Sequence, residues 1–164
     1  MVEFLLAKSK NDFNVIAQLA NIVWHEHYIP IIGKAQVDYM VTKFQTSEAM
    51  QQQAKESYEY YIIKYENENV GYLSIKKNDD DLFLSKIYLL KEFRGNKIGK
   101  SAFSFIEKKA KNYQCKTISL TVNKNNTNTI KAYEKSGFKN IEAIVMDIGN
   151  GFVMDDYRMV KTLS

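Results

Sequence analysis

Up to residue 57 the apolar positions fall mostly at helical spacing, and from residue 58 they change to short alternating runs. Residues 4–7 read as a strand. Asn11 or Asp12 then caps a helix whose inner face is Phe13, Ile16, Leu19, Ala20 and Val23, the i, i+3, i+4 repeat of a half-buried helix. Pro30 and Gly33 break the chain, and Val37, Met40, Val41 and Phe44 resume the repeat in a second helix that continues past Ser47 toward Lys55.

Three strands follow, at residues 58–65, 70–75 and 82–90, separated by the turn-rich tetrads at 66–69 and 78–81. Tight turns between consecutive strands predict an antiparallel meander. In the third strand the alternation set by Leu82 and Leu84 loses phase before Ile87 and Leu89, as a β-bulge would cause. A loop at 91–99 leads to a helix with Ala102, Phe105, Ile106 and Ala110 on one face. A strand with Ile118, Leu120 and Val122 alternating comes next. A crossover helix of that length sets the two flanking strands parallel. A last helix at 127–136 ends at Gly137, and residues 141–148 and 152–163 form a hairpin about Asn150-Gly151, a type I′ turn pair. The predicted class is α/β, with a mixed, mostly antiparallel central sheet flanked by helices.

Composition narrows the function. The 164 residues are 45% hydrophobic and 26% charged, with one proline and seven glycines, which fits a single domain over 1–164 without a linker. No apolar run is long enough to span a membrane and the N-terminus has no signal-peptide pattern, so a cytoplasmic protein is expected. The lone Cys115 sits in an amphipathic segment and reads as a core residue. The net charge of +4 is local: residues 78–116 hold nine bases against five acids, while 1–77 sum to −1 and 117–164 to +1. One basic patch suits a small polyanion, and its separation from the aromatic residues argues against a nucleic-acid partner.

That patch holds Lys91, Arg94, Gly95, Asn96, Lys97, Ile98, Gly99 and Lys100 at a strand-to-helix junction. A helix starting there offers its first N–H groups and the positive end of its dipole, and glycine lets the backbone approach an anion closely. The pattern is a phosphate or diphosphate cradle. It lacks the Gly-Lys-Ser/Thr ending of the nucleotide P-loop and the glycine spacing of the dinucleotide fingerprint.

Ile87-Tyr88-Leu89 with the run from Arg94 to Lys100 resembles the acetyl-CoA motif of the GCN5-related N-acetyltransferases (GNAT). Leu120-Thr121-Val122-Asn123, Asn126, Ile130, Tyr133-Glu134-Lys135 and Gly137-Phe138 are similar to the motif that follows it, and the order of elements agrees over essentially the whole chain. The resemblance implies acetyl-CoA as cosubstrate, with no metal, and direct transfer to an amine. The backbone of Ile87, Tyr88 and Leu89 would hold the pantetheine arm and the amides of Arg94 through Lys100 the diphosphate. Asn126 would bind the arm or cap its helix, Lys135 would lie near the nucleotide, and Tyr133 would protonate the leaving thiolate as the catalytic acid. The resemblance also marks a departure, since glycine is usual where this chain has Lys97, a position that would need a positive φ.

On the acceptor side the end of the first helix offers Trp24, His25, Glu26, His27 and Tyr28, and the terminal strand offers Asp155 and Asp156. The two His residues at i and i+2 point to different sides of a helix and make no metal site. These segments look similar to the bacterial diamine and polyamine acetyltransferase branch, which implies a small-molecule amine as partner, a polyamine first. Protein N-termini or lysines and a non-catalytic acyl-CoA sensor remain open alternatives, as does a monomer or a homodimer.

Overall fold

The computed structural model describes residues 1–95 and 97–164; Asn96 lies outside the described residues. Seven strands form one sheet in the order β1-β2-β3-β4-β5-β7-β6: β1 (Val2–Leu6), β2 (Glu59–Tyr65), β3 (Glu68–Asn78), β4 (Asp81–Leu89), β5 (Thr117–Asn123), β6 (Lys139–Gly149) and β7 (Phe152–Thr162). All neighbours are antiparallel except β4 and β5. The parallel pair results from the crossover helix α5 (Ile98–Asn112), as expected.

The central strands are apolar on both faces because helices cover both. On one face α5 inserts Ile98, Ala102 and Ile106 against Ile63, Leu73, Ile118 and Leu120. On the other, α1 (Lys10–His27) and α3 (Lys34–Phe44) bury Phe13, Ile16, Trp24, Val37 and Met40 against Tyr60, Ile62 and Tyr72. Cys115 is buried in the α5-side core, where burial pushes its thiol pKa up, in keeping with a core residue. No described helix is long and apolar enough to cross a membrane.

Two helix boundaries differ from expectation. Ser9, and neither Asn11 nor Asp12, caps α1: its hydroxyl accepts from the Asp12 N–H at 3.1 Å, and the Asp12 carboxylate accepts from the Ser9 N–H at 3.2 Å, a reciprocal capping box. The second helix is two. Gln45 ends α3, and Thr46, accepting from the Ala49 N–H at 3.1 Å, starts α4 (Ser47–Lys55). A short turn of helix, α2 (Ile29–Ile32), carries Pro30 at its start. The Asn150-Gly151 turn has φ of 54° and 79°, the paired positive values of type I′.

Candidate active site

The site begins where β4 and β5 part. They pair only at Asp81–Thr117, Leu82–Ile118 and Phe83–Ser119, a contact clamped by the Asp81 carboxylate, which accepts from the Thr117 hydroxyl at 2.8 Å and the Ser119 hydroxyl. β4 runs on to Leu89 alone on that side. The phase slip expected between Leu84 and Ile87 is present: Ser74 faces Lys86 while Ile75 faces Leu84, so Ser85 is the extra residue of a bulge. The Leu90 N–H bonds Val70 O on β3 at 2.8 Å. By strand alternation the Leu89 N–H points the other way, into the gap that β5 has left.

One cavity, of about 480 Å³, fills this gap. Backbone of β4 from Leu84 to Leu89 forms one wall, Leu120, Thr121 and Val122 the other, and Gly99, Asn126 and Tyr133 close its ends. α6 (Thr127–Lys135) carries Tyr133, whose ring is wedged between Phe103 and Phe138 at 5.8 and 5.7 Å. Burial pushes the Tyr133 hydroxyl well above its usual pKa, so it keeps its proton throughout the neutral range. Asn126 occupies the N-cap position of α6 yet makes no capping bond; its buried side chain lines the cavity instead. His27 lines it too, its pKa lowered first by burial and then by Arg94, so the imidazole is neutral there at pH 7.

At the mouth, the first helical bond of α5 runs from the Ser101 N–H to Lys97 O at 3.1 Å, which leaves the N–H groups of Ile98, Gly99 and Lys100 without a helical partner. Gly95 has φ of 86° and Lys97 φ of 60°, so Lys97 holds the left-handed conformation that glycine would favour. A Cβ built on Gly99 meets nothing within 4 Å. Free amides, a helix dipole, open space and the cations Arg94, Lys97 and Lys100 fit an anionic group such as a diphosphate. The Ile98 side chain is buried in the core, so only its amide faces the mouth. Lys135 is exposed on the last turn of α6 and does not line the cavity.

A second cavity, of about 360 Å³, opens on the helix α1 side of the same gap, and Ser85, Tyr88 and Thr121 border both. Apolar side chains, from Trp24, Met40 and Phe44 on the helices to Met146, Ile148 and Met154 on the hairpin, make up much of its wall, interrupted by Gln45, Gln53, Lys86 and Asp156. Tyr28 stacks on Trp24 at 4.4 Å and lines the first cavity. Asp156 is buried at 5% exposure, and its Oδ1 has no partner among the described residues. Burial, and secondly the charge of Asp155, push its carboxyl up to about 6.

The model of the acetyltransferase (GNAT) family matches residues 16–138, three-quarters of the chain, and spans the splayed strand, the amide-bearing helix start and Tyr133. The chain belongs to the GNAT family of acetyltransferases. An uncharacterized N-acetyltransferase from the pepI 3′ region of Lactobacillus delbrueckii subsp. lactis is 27% identical over 99 residues, covering 56% of this chain and 57% of that protein, so the match spans little more than half of that relative. The PaiA N-acetyltransferase of Thermoplasma acidophilum, solved in complex with coenzyme A, superposes with a TM-score of 0.81 over 99% of both chains at 20% identity. A GCN5-related N-acetyltransferase from Rhodopseudomonas palustris gives 0.82 over 98% of this chain and 95% of that one at 15% identity. These two likenesses are of fold.

Within this GNAT chain the expected residues separate into two groups. Ile87, Tyr88, Leu89, Arg94, Gly99, Asn126 and Tyr133 gather at the first cavity or its mouth, where Tyr28, expected on the acceptor side, also lies, and Trp24 and Asp156 gather at the second. Glu26 is exposed on α1 and lines neither, and Asp155 is exposed and paired with Lys124 at 2.7 Å. His25 bonds Asp38 at 2.7 Å on the outer side of α1. The residue that sequence reasoning passed over is Lys86, buried in mid-strand and lining both cavities. A lysine inside an otherwise apolar strand run was the available signal.

Proposed function

We propose that this GNAT acetyltransferase takes acetyl-CoA into the gap between β4 and β5 and passes the acetyl group directly to the primary amine of a small acceptor in the second cavity. The observation that carries the reading is the meeting of the two cavities at the splay. A proton donor stands on the cofactor side and an unpartnered carboxylate on the acceptor side. The thioester supplies an activated acyl group. The chain's own groups then have distinct tasks. Asp156 accepts a proton from the substrate ammonium, whose pKa near ~10.4 otherwise keeps its lone pair occupied. The Leu89 N–H faces the negative charge that develops on the carbonyl oxygen as nitrogen adds, and the Tyr133 hydroxyl delivers a proton to the departing sulfur.

A cavity of about 360 Å³ with largely apolar walls and a few polar groups suits a small molecule better than a protein segment. The polyamine expectation has less support. It drew on Glu26, Asp155 and Asp156 together, and only Asp156 lines the cavity, with Glu56 at the exposed rim. Thiol release from acetyl-CoA measured over a panel of amines tests the reading: amine-dependent release is expected, and none with any amine would overturn it.

Two substitutions probe the cofactor side. Gly99→Val should leave thermal unfolding nearly unchanged, because a Cβ there meets no atom of the chain within 4 Å, yet weaken CoA binding about tenfold or more by filling space at the amides. Unaltered affinity in calorimetry would remove the diphosphate from this loop. Tyr133→Phe deletes only a hydroxyl, so the Kd for CoA should stay within about twofold while kcat falls about tenfold or more. An unchanged kcat across pH would assign the proton to another group.

A further inference from the structure

Lys86 is 9% exposed, and its side chain leaves β4 on the α1 side of the sheet. Its ammonium donates to the Tyr60 hydroxyl at 2.5 Å and to Gln53 Oε1 at 3.2 Å, and the Tyr60 hydroxyl donates in turn to the same Gln53 oxygen. Both acceptors are neutral. Among the described residues no carboxylate pairs with it. Burial without a counter-charge brings its pKa down to about 7, so a substantial fraction stays protonated near neutrality at a cost to the fold that an apolar residue of similar length would avoid.

The position makes that cost meaningful. Lys86 lines the acceptor cavity, and so does Asp156 from β7, with Trp24, Met40, Phe44 and Met154 among the walls. Directly across the β3–β4 ladder from Lys86 stands Ser74, fully buried, its Oγ without a partner among the described residues. Ser74 lines neither cavity, so the member of this pair that reaches the acceptor space is Lys86. Asp156 and, at the exposed rim, Glu56 line the same cavity, yet neither pairs with Lys86, and a simple amine brings no anion to it. A second cation on the substrate would meet repulsion there in place of a partner.

We propose that the acceptor carries a carboxylate as well as its amine, with Asp156 holding the amine end and Lys86 holding the carboxylate across an apolar middle. This rests on the acetyltransferase reading and sharpens its substrate class from small amines to amino acids with an apolar body. Such a substrate satisfies both buried charges at once, and its binding would raise the protonated fraction of Lys86 by supplying the missing counter-charge.

The test compares acceptors in which the far carboxylate is replaced by a methyl group, 4-(aminomethyl)benzoate against 4-methylbenzylamine and 6-aminohexanoate against hexylamine, by thiol release from acetyl-CoA. In the wild-type protein at least one carboxylate member should exceed its partner in kcat/KM by about tenfold or more. Lys86→Met should erase that preference chiefly through KM, and Lys86→Arg should retain part of it. A wild-type protein that acetylates the simple amines as well as or better than their carboxylate partners would overturn the proposal and leave the acetyltransferase reading standing. So would a Lys86→Met protein that loses activity toward both members of a pair equally, because that is the mark of a structural role. The wild-type comparison decides the matter even if Lys86→Met fails to fold. Absence of release with every amine, despite CoA binding in calorimetry, would overturn both readings together.

Discussion

Asp156→Asn is expected to lower kcat/KM by about two to three orders of magnitude while making the protein harder to melt at pH 8. The two effects share one cause. The wild-type carboxylate is buried with one oxygen unpartnered, and its pKa is pushed up to about 6 from an ordinary 3.8. An acid whose folded pKa is raised stabilises the fold most below its unfolded pKa, and this stabilisation is lost as pH rises through the folded value. At pH 8 the native protein therefore carries an unpaired buried carboxylate, and asparagine, of nearly the same shape, removes the charge. The gap in Tm between variant and wild type should widen from pH 4 to pH 8. In the activity profile the wild type should lose rate as pH falls through about 6, where Asp156 takes up its proton, and the residual activity of Asp156→Asn should lack that limb. A variant with wild-type rate would remove Asp156 from proton transfer. A variant that melts lower at pH 8 would show that the carboxylate has a partner that stabilises it.

How far the sequence reaches depends on whether a feature is local. The geometry of the mouth was legible because it needs only a strand, residues able to adopt positive φ and a helix start in succession; even the left-handed Lys97, with φ of 60°, followed from its standing where glycine is usual. The bulge at Ser85 announced itself as a slipped alternation. The acceptor cavity was not legible in the same way, since it is assembled from α1, α3, α4 and the β6–β7 hairpin. Adjacent Asp155 and Asp156 look equivalent in sequence, and only the pairing of Asp156 with Asn123 and Ile144 turns one inward and leaves the other to Lys124. Lys86 depends on partners from α4 and β2 that no spacing rule brings to mind. The break between α3 and α4 was hidden for a related reason: Thr46 restarts the helix, and the cap of the second helix is read more easily than the end of the first.

Gly71→Ala is expected to give the largest loss of stability of the substitutions considered, and to damage cofactor binding from a position that lines neither cavity. Gly71 stands opposite Leu89 in the β3–β4 ladder, just after the irregularity that shifts the β2–β3 register between Ile63 and Lys64. A Cβ there would lie 2.1 Å from the carbonyl oxygen of Tyr88 and 3.1 Å from Leu89 Cα. Neither atom can yield by a side-chain rotation, so β4 itself must move. Overpacking that displaces a buried strand costs about 2–4 kcal/mol, which for a domain of this size lowers Tm by roughly 5–15 °C. The displaced segment is also the one whose Leu89 amide faces the gap and whose backbone forms its wall, so CoA affinity measured on the folded fraction should fall as well. The contrast with Gly99→Val is the informative part: there the Cβ meets no atom, so binding should change without stability, whereas at Gly71 the two should fall together. A Gly71→Ala protein with native Tm and native CoA affinity would mean that the spacing of β3 and β4 at Leu89 does not set the shape of the cofactor gap.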